Sequence, residues 1–166
     1  DLAKKMFPPL VPIVRWALRK RARDNARTPM QWSAAENAGF TTGKPWMMVN
    51  PNYTEVNVEQ QQGDPDSILN FYKKLIAYRK GNAVIRYGTF EEYFPKSNKI
   101  FCYERNYNGK RLFVVGSFSD KNVVFKLPAG YSFKSSKLVL NNYDDAPAEL
   151  SAYTLRPYEA VVYEVE

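Results

Sequence analysis

From Ala83 to Glu166 the chain is written in short runs rich in Val, Ile, Phe and Tyr, each cut off by turn residues. The runs are Val84–Phe94, Lys99–Tyr107, Lys110–Phe118, Asn122–Leu127, Lys137–Asn141 and Tyr158–Val165. Such spacing suits a sandwich or barrel and leaves little room for helices. Asn108-Gly109 joins two of the runs, and this dipeptide supplies the two positive φ angles of a type I′ hairpin turn. Pro128-Ala129-Gly130 and Asp144-Asp145-Ala146-Pro147 are further turns. In the final run, Val161, Tyr163 and Val165 alternate with Ala160, Val162 and Glu164, the pattern of a half-buried edge or surface strand. The expectation is a mainly β fold whose second half is an antiparallel domain of about six to eight strands.

The first half reads differently. Asp64–Lys80 is the clearest helix: Asp64 as N-cap, Pro65 at the first helical position, Asp66 at the positive end and Gly81 as the stop. Ile68, Phe71, Tyr72, Leu75 and Ile76 form one apolar stripe, expected to face a core. Residues 24–63 show no sustained period and carry Trp32 and Trp46, an unusually long irregular stretch for a compact domain. Residues 13–22 suit a short helix with Trp16 and Leu18 partly buried, while Pro8, Pro9 and Pro12 interrupt the segment before it.

Composition removes several function classes. With 45% hydrophobic and 25% charged residues the chain is globular. No apolar run approaches the ~20 residues of a membrane span, and no secretory signal is legible. The single cysteine, Cys102, excludes an internal disulfide and is expected to be an ordinary buried thiol, consistent with a reducing, cytoplasmic setting. The absence of histidine excludes Ser-His and Cys-His catalysis and His-ligated zinc. No Gly-rich phosphate loop or metal-spaced cluster is present, so no cofactor and no metal are expected. Of the net charge of +7, residues 1–27 hold +6, with basic residues clustered between Arg15 and Arg23. The near-neutral remainder argues against nucleic acid as a partner, and the basic segment reads as a solvated face.

One stretch concentrates usable chemistry: Arg23-Asp24-Asn25-Ala26-Arg27-Thr28-Pro29-Met30-Gln31-Trp32. Arg27 offers a rigid fork of five donors, suited to a carboxylate or to vicinal hydroxyls. Asp24, three residues earlier, either holds that fork or accepts from a hydroxyl, and Trp32 gives a flat apolar face. Donor, acceptor and ring suit a pyranose site. They suit a buried structural ion pair equally, and residue chemistry alone favours the structural reading.

RDNARTPMQW, followed by NAGFTTGKPWMMVNPNY, NVEQQ and DSILNFYKKLIAYRK, resembles the oligo-1,6-glucosidase and α-glucosidase group of glycoside hydrolase family 13. The ending Thr154-Leu155-Arg156-Pro157-Tyr158-Glu159-Ala160 also looks like the tail of that group, so the resemblance runs from about Arg23 to Glu166. It implies a C-terminal antiparallel β-sandwich domain over 83–166. It also implies that residues 1–82 are a remnant, long loop and last helix, of a catalytic (β/α)8 barrel. It further implies that Arg27 and Asp24 contact the glucose at the cleavage point. The family's nucleophilic Asp, acid/base Glu and stabilising Asp, with their accompanying histidines, have no counterpart here, so no catalytic residue is assigned. The implied protein is a retaining α-glucosidase, monomeric and acting on short oligosaccharides, of which this chain is a non-catalytic part. The alternatives are a non-catalytic carbohydrate-binding domain and a purely structural β domain.

Overall fold

A computed structural model describes residues 23–166 together with Pro12, Trp16 and Leu18. Contacts divide the chain into two compact units, Asp1–Tyr72 and Lys73–Glu166. Pro12, Trp16 and Leu18 have helical backbone. Trp16 and Leu18 are exposed, against the expectation of partial burial. The rest of 13–22, and the basic cluster apart from Arg23, lie outside the described residues.

In the first unit the irregular stretch resolves into 3-10 turns at Arg23–Ala26, Glu36–Gly39 and Pro51–Thr54 and one short helix, α1, at Val58–Gly63. That helix was not legible as a periodic segment. Asn57 creates it: its side-chain oxygen accepts from the Gln60 N–H at 3.0 Å, and its Nδ2 donates to the Tyr53 carbonyl at 2.9 Å. Asn57 is buried, so both bonds are shielded from water.

The long helix, α2, spans Ile68–Gly81 and starts three residues later than expected, at Ile68 where Pro65 was the expected first helical residue. Asp64 does not cap it; its carboxylate accepts from the Asp66 N–H at 2.9 Å in a local turn. Ser67 caps instead, its Oγ accepting from the Asn70 N–H at 3.2 Å while donating to the Gln61 carbonyl at 2.6 Å. Of the expected stripe, Ile68, Tyr72 and Ile76 are exposed, while Phe71 and Leu75 are half-buried. Gly81 ends α2 as its last residue and has no positive φ, so the left-handed stop did not form.

The second unit corrects the expected strand Val84–Phe94. Residues Ala83–Tyr87 are a helix, α3, and only Glu91–Tyr93 pair as a strand, β1. Asn82 decides this, because its Oδ1 accepts from both the Val84 and Ile85 N–H groups and starts a helical turn. The other strands are β2 (Ile100–Tyr107), β3 (Lys110–Ser117), β4 (Val123–Phe125), β5 (Ser136–Asn141), β6 (Tyr153–Leu155) and β7 (Ala160–Val165). They form an antiparallel five-stranded sheet, ordered β1-β2-β3-β7-β5, and a β4-β6 pair. Asn108 and Gly109, at φ 52° and 79°, make the expected hairpin turn between β2 and β3. Strand β7 lies inside the sheet, not at its edge, paired with β3 on one side and β5 on the other. Its alternation holds: Val161, Tyr163 and Val165 are the buried set.

Both sheets feed one core. Cys102, Phe113, Val115, Val161, Tyr163 and Val165 come from the larger sheet, Phe125 and Leu155 from the smaller, with Leu150 between. Each such large side chain contributes roughly 1.5–3 kcal/mol by leaving water. Burial pushes the Cys102 thiol up to about 12, so it stays protonated, the inert thiol expected. The end of the chain is tied by a buried carboxylate. Glu159 is fully buried and accepts from the Arg156 backbone N–H at 2.8 Å, Nε at 3.1 Å and Nη2 at 2.9 Å. The Arg156 guanidinium also bonds Asp145 and lies 4.1 Å from the centre of the Tyr143 ring.

Candidate functional site

Asp24 lies in the first 3-10 turn, Arg23–Ala26, and Arg27 directly follows it. The turn is closed by the Arg27 N–H donating to the Asp24 carbonyl at 3.1 Å. Three-residue spacing on such a turn brings the side chains to one side, and Nη1 of Arg27 lies 3.6 Å from Oδ1 of Asp24. The two side chains keep 47% and 66% of their surface exposed. That excludes the buried structural pair, and an exposed pair of this geometry contributes well under about 1 kcal/mol to folding. Exposed fork and exposed carboxylate together form a donor-acceptor edge.

Trp32, the third member of the expected constellation, is half exposed while its backbone is tightly held. Its N–H donates to the Ala38 carbonyl at 2.9 Å, and its own carbonyl accepts from the Glu59 N–H at 3.0 Å. Gln31, which sequence reasoning passed over, organises the same segment. Its Nε2 donates to Asn52 Oδ1 at 3.1 Å and to the Val56 carbonyl at 2.5 Å, and its carbonyl accepts from the Val58 N–H at 3.0 Å. The only signal for this was the density of carboxamides among aromatic and turn residues. Around the segment, Met30, Phe40, Trp46, Met48 and Val56 also expose apolar surface.

The second unit carries an open cleft of about 1090 Å³, lined among others by Tyr107, Lys110, Ser136, Lys137, Glu164 and Glu166. Its carboxylates are engaged, Glu164 by the Tyr78 hydroxyl at 3.3 Å and Glu166 by Ser135 Oγ at 3.4 Å. Burial, with Glu164 beside it, pushes the Tyr78 hydroxyl up to about 12. Among the described residues no group of three His, Cys, Asp or Glu side chains is placed to hold a metal ion. None of the described helices is long and apolar enough to cross a membrane.

Comparison with known proteins places these features in a lineage. Residues 13–88 match the α-amylase catalytic domain and residues 100–162 the C-terminal domain of the α-amylase SusG. The match therefore begins ten residues before the point where the resemblance becomes legible by eye. The oligo-1,6-glucosidases of Parageobacillus thermoglucosidasius and Bacillus cereus are 47% and 44% identical over 146 residues. These alignments take in 87% and 88% of this chain and 26% of each relative. The crystal structure of Bacillus licheniformis trehalose-6-phosphate hydrolase superimposes with a TM-score of 0.85 at 37% identity, covering 89% of this chain and 27% of that one. The chain thus spans about a quarter of the length of the relatives it matches. With residues 13–88 and 100–162 both matching domains of α-amylases, and most of the chain aligning to oligo-1,6-glucosidases, this chain belongs to glycoside hydrolase family 13, the α-amylase family.

Proposed function

We infer that this chain is the C-terminal part of a retaining α-glucosidase of the oligo-1,6-glucosidase or maltase type, which hydrolyses α-glucosidic bonds of short oligosaccharides. In this reading residues 1–82 complete a catalytic (β/α)8 barrel, and residues 83–166 form a C-terminal β-sandwich domain. The parent enzyme is a cytoplasmic monomer. The nucleophile and the acid/base are supplied by parts of the barrel outside this sequence, and the chain itself binds rather than cleaves. Arg27 and Asp24 grip the glucosyl group at the cleavage point: the fork donates to vicinal hydroxyls and the carboxylate accepts from one.

The observation that carries this reading is the exposed Asp24–Arg27 pair on its closed turn, in a segment that matches the α-amylase catalytic domain. The test has two arms. The polypeptide alone should not hydrolyse an aryl α-glucoside, and turnover by it would show that the chemistry lies within these residues. In the parent enzyme, Arg27→Ala removes a charge-assisted contact of about 2 kcal/mol, roughly thirtyfold in kcat/KM. An unaffected enzyme would exclude the role.

A second reading, a non-catalytic carbohydrate-binding or structural β domain, is favoured by one feature of the second unit. Phe90, Tyr103, Phe101 and Phe118 form a row of neighbouring rings 5.1, 5.2 and 6.4 Å apart, and the three phenylalanines are exposed. Heat released on titration with maltodextrin, abolished in Phe101→Ala, would favour the binding module.

A further inference from the structure

Three consecutive residues lie in the left-handed helical region: Asn37 (φ 53°, ψ 29°), Ala38 (φ 59°, ψ 25°) and Gly39 (φ 64°). Asn37 and Ala38 carry a Cβ that crowds the backbone there, and L-residues rarely enter that region in succession. Such strain survives only where the surroundings over-determine it, and it concentrates where function needs fixed geometry.

The surroundings here are explicit. Ala38 is fully buried, and its carbonyl accepts from the N–H groups of both Trp32, at 2.9 Å, and Ser33, at 3.1 Å. Asn37 clasps the following loop, its Nδ2 donating to the carbonyls of Thr41 and Gly43, each at 3.3 Å. A Cβ at Gly39 would lie 2.6 Å from Ser33 Oγ and, at φ 64°, would be strained even if that hydroxyl turned away. On the opposite edge, the carbonyls of Gln31 and Trp32 accept from the first N–H groups of α1. The backbone of residues 31–33 is therefore held from two sides, yet the Trp32 ring it carries stays half exposed. The strained turn fixes the place of a side chain that adds little to the core.

We propose that the left-handed turn 37–39 is a positioning device that holds Trp32 as a rigid face against the glucosyl group gripped by Arg27 and Asp24. Trp32 stacks on the apolar C–H face of the sugar; Asn37, Ala38 and Gly39 are positioning residues that touch no substrate. A ring on a locked backbone loses little freedom on binding, so its contact is realised at low entropic cost. This role for the sugar rests on the glucosidase reading above.

The experiment uses the parent enzyme labelled with 5-fluorotryptophan, the Trp32 resonance being identified by its loss in Trp32→Phe. In Gly39→Ala the Trp32 line should move while the other tryptophan lines hold. KM for an aryl α-glucoside should then rise about tenfold with kcat within about twofold. Adding Ser33→Gly removes the obstructing Oγ and should recover part of the KM, the rest staying lost to a Cβ held at positive φ. Should Gly39→Ala not fold, Asn37→Gly keeps the backbone conformation and deletes only the clasp; it should raise KM about threefold and shift the same line. An unmoved Trp32 line in a folded variant overturns the positioning device, and a moved line with unchanged KM overturns the sugar contact. A wild-type parent without α-glucosidase turnover overturns the sugar role together with the reading beneath it. The fluorine line distinguishes that failure from failure of the turn.

Discussion

Glu159→Gln isolates the most demanding interaction in the second unit. The native carboxylate is fully buried and takes three N–H groups from Arg156, two on Oε2 and one on Oε1. Glutamine keeps one acceptor for the backbone N–H and Nε but turns an NH2 group towards Nη2, a donor facing a donor. The loss of one charge-assisted bond and a poorly matched buried donor together cost about 2–3 kcal/mol. With a urea m-value of about 1.5–2 kcal/mol per M, the unfolding midpoint should fall by about 1–2 M at pH 7. The pH dependence gives an independent check. Burial alone would raise the Glu159 carboxyl, but hydrogen bonds from the Arg156 side chain and backbone outweigh it and hold it below its ordinary value of 4.5. A depressed carboxyl stabilises the fold above that value, and the stabilisation is lost as pH falls through the lower, folded-state value. The gap between wild-type and variant midpoints should therefore be full at neutral pH and close in acid. A midpoint change under about 0.3 M, or a gap that does not narrow below pH 4, would refute the assignment.

Further outcomes follow from the same geometry. Phe113→Ala empties a fully buried site packed against the rings of Tyr93, Phe125 and Tyr131 and should cost about 3–5 kcal/mol in urea unfolding. Ser67→Ala should cost about 1 kcal/mol and Asp64→Ala less than half of that, since Ser67 is the cap of α2; equal losses would return the cap to Asp64. The Cys102 thiol, buried and raised to about 12, should resist a thiol-reactive dye at pH 8 in native protein and react on unfolding. Asn82→Ala should fray α3 and lower stability by about 1 kcal/mol, read from the same urea transition.

Features that depend only on neighbours along the chain were legible before the fold was known. Period-two alternation placed Val161, Tyr163 and Val165 on one buried face, and Asn108-Gly109 fixed its hairpin because few other pairs tolerate two positive φ angles. The pairing of Arg27 with Asp24 was readable for the same reason: residues three apart on one turn share a side. Tertiary structure decided where competing local options were nearly equal in energy. Asp64 and Ser67 are both competent caps, and Ser67 won through its added bond to the Gln61 carbonyl. Ala83–Tyr87 has strand-like composition, yet the Asn82 carboxamide caps it as a helix that packs on β2 and β3. Strand β7 is interior because β5, distant in sequence, pairs with its free edge, a fact that no local pattern carries. The left-handed turn at 37–39 was illegible for the deepest reason. Its strain is unfavourable locally and is sustained only by bonds to residues 32, 33, 41 and 43 that the folded chain brings to it.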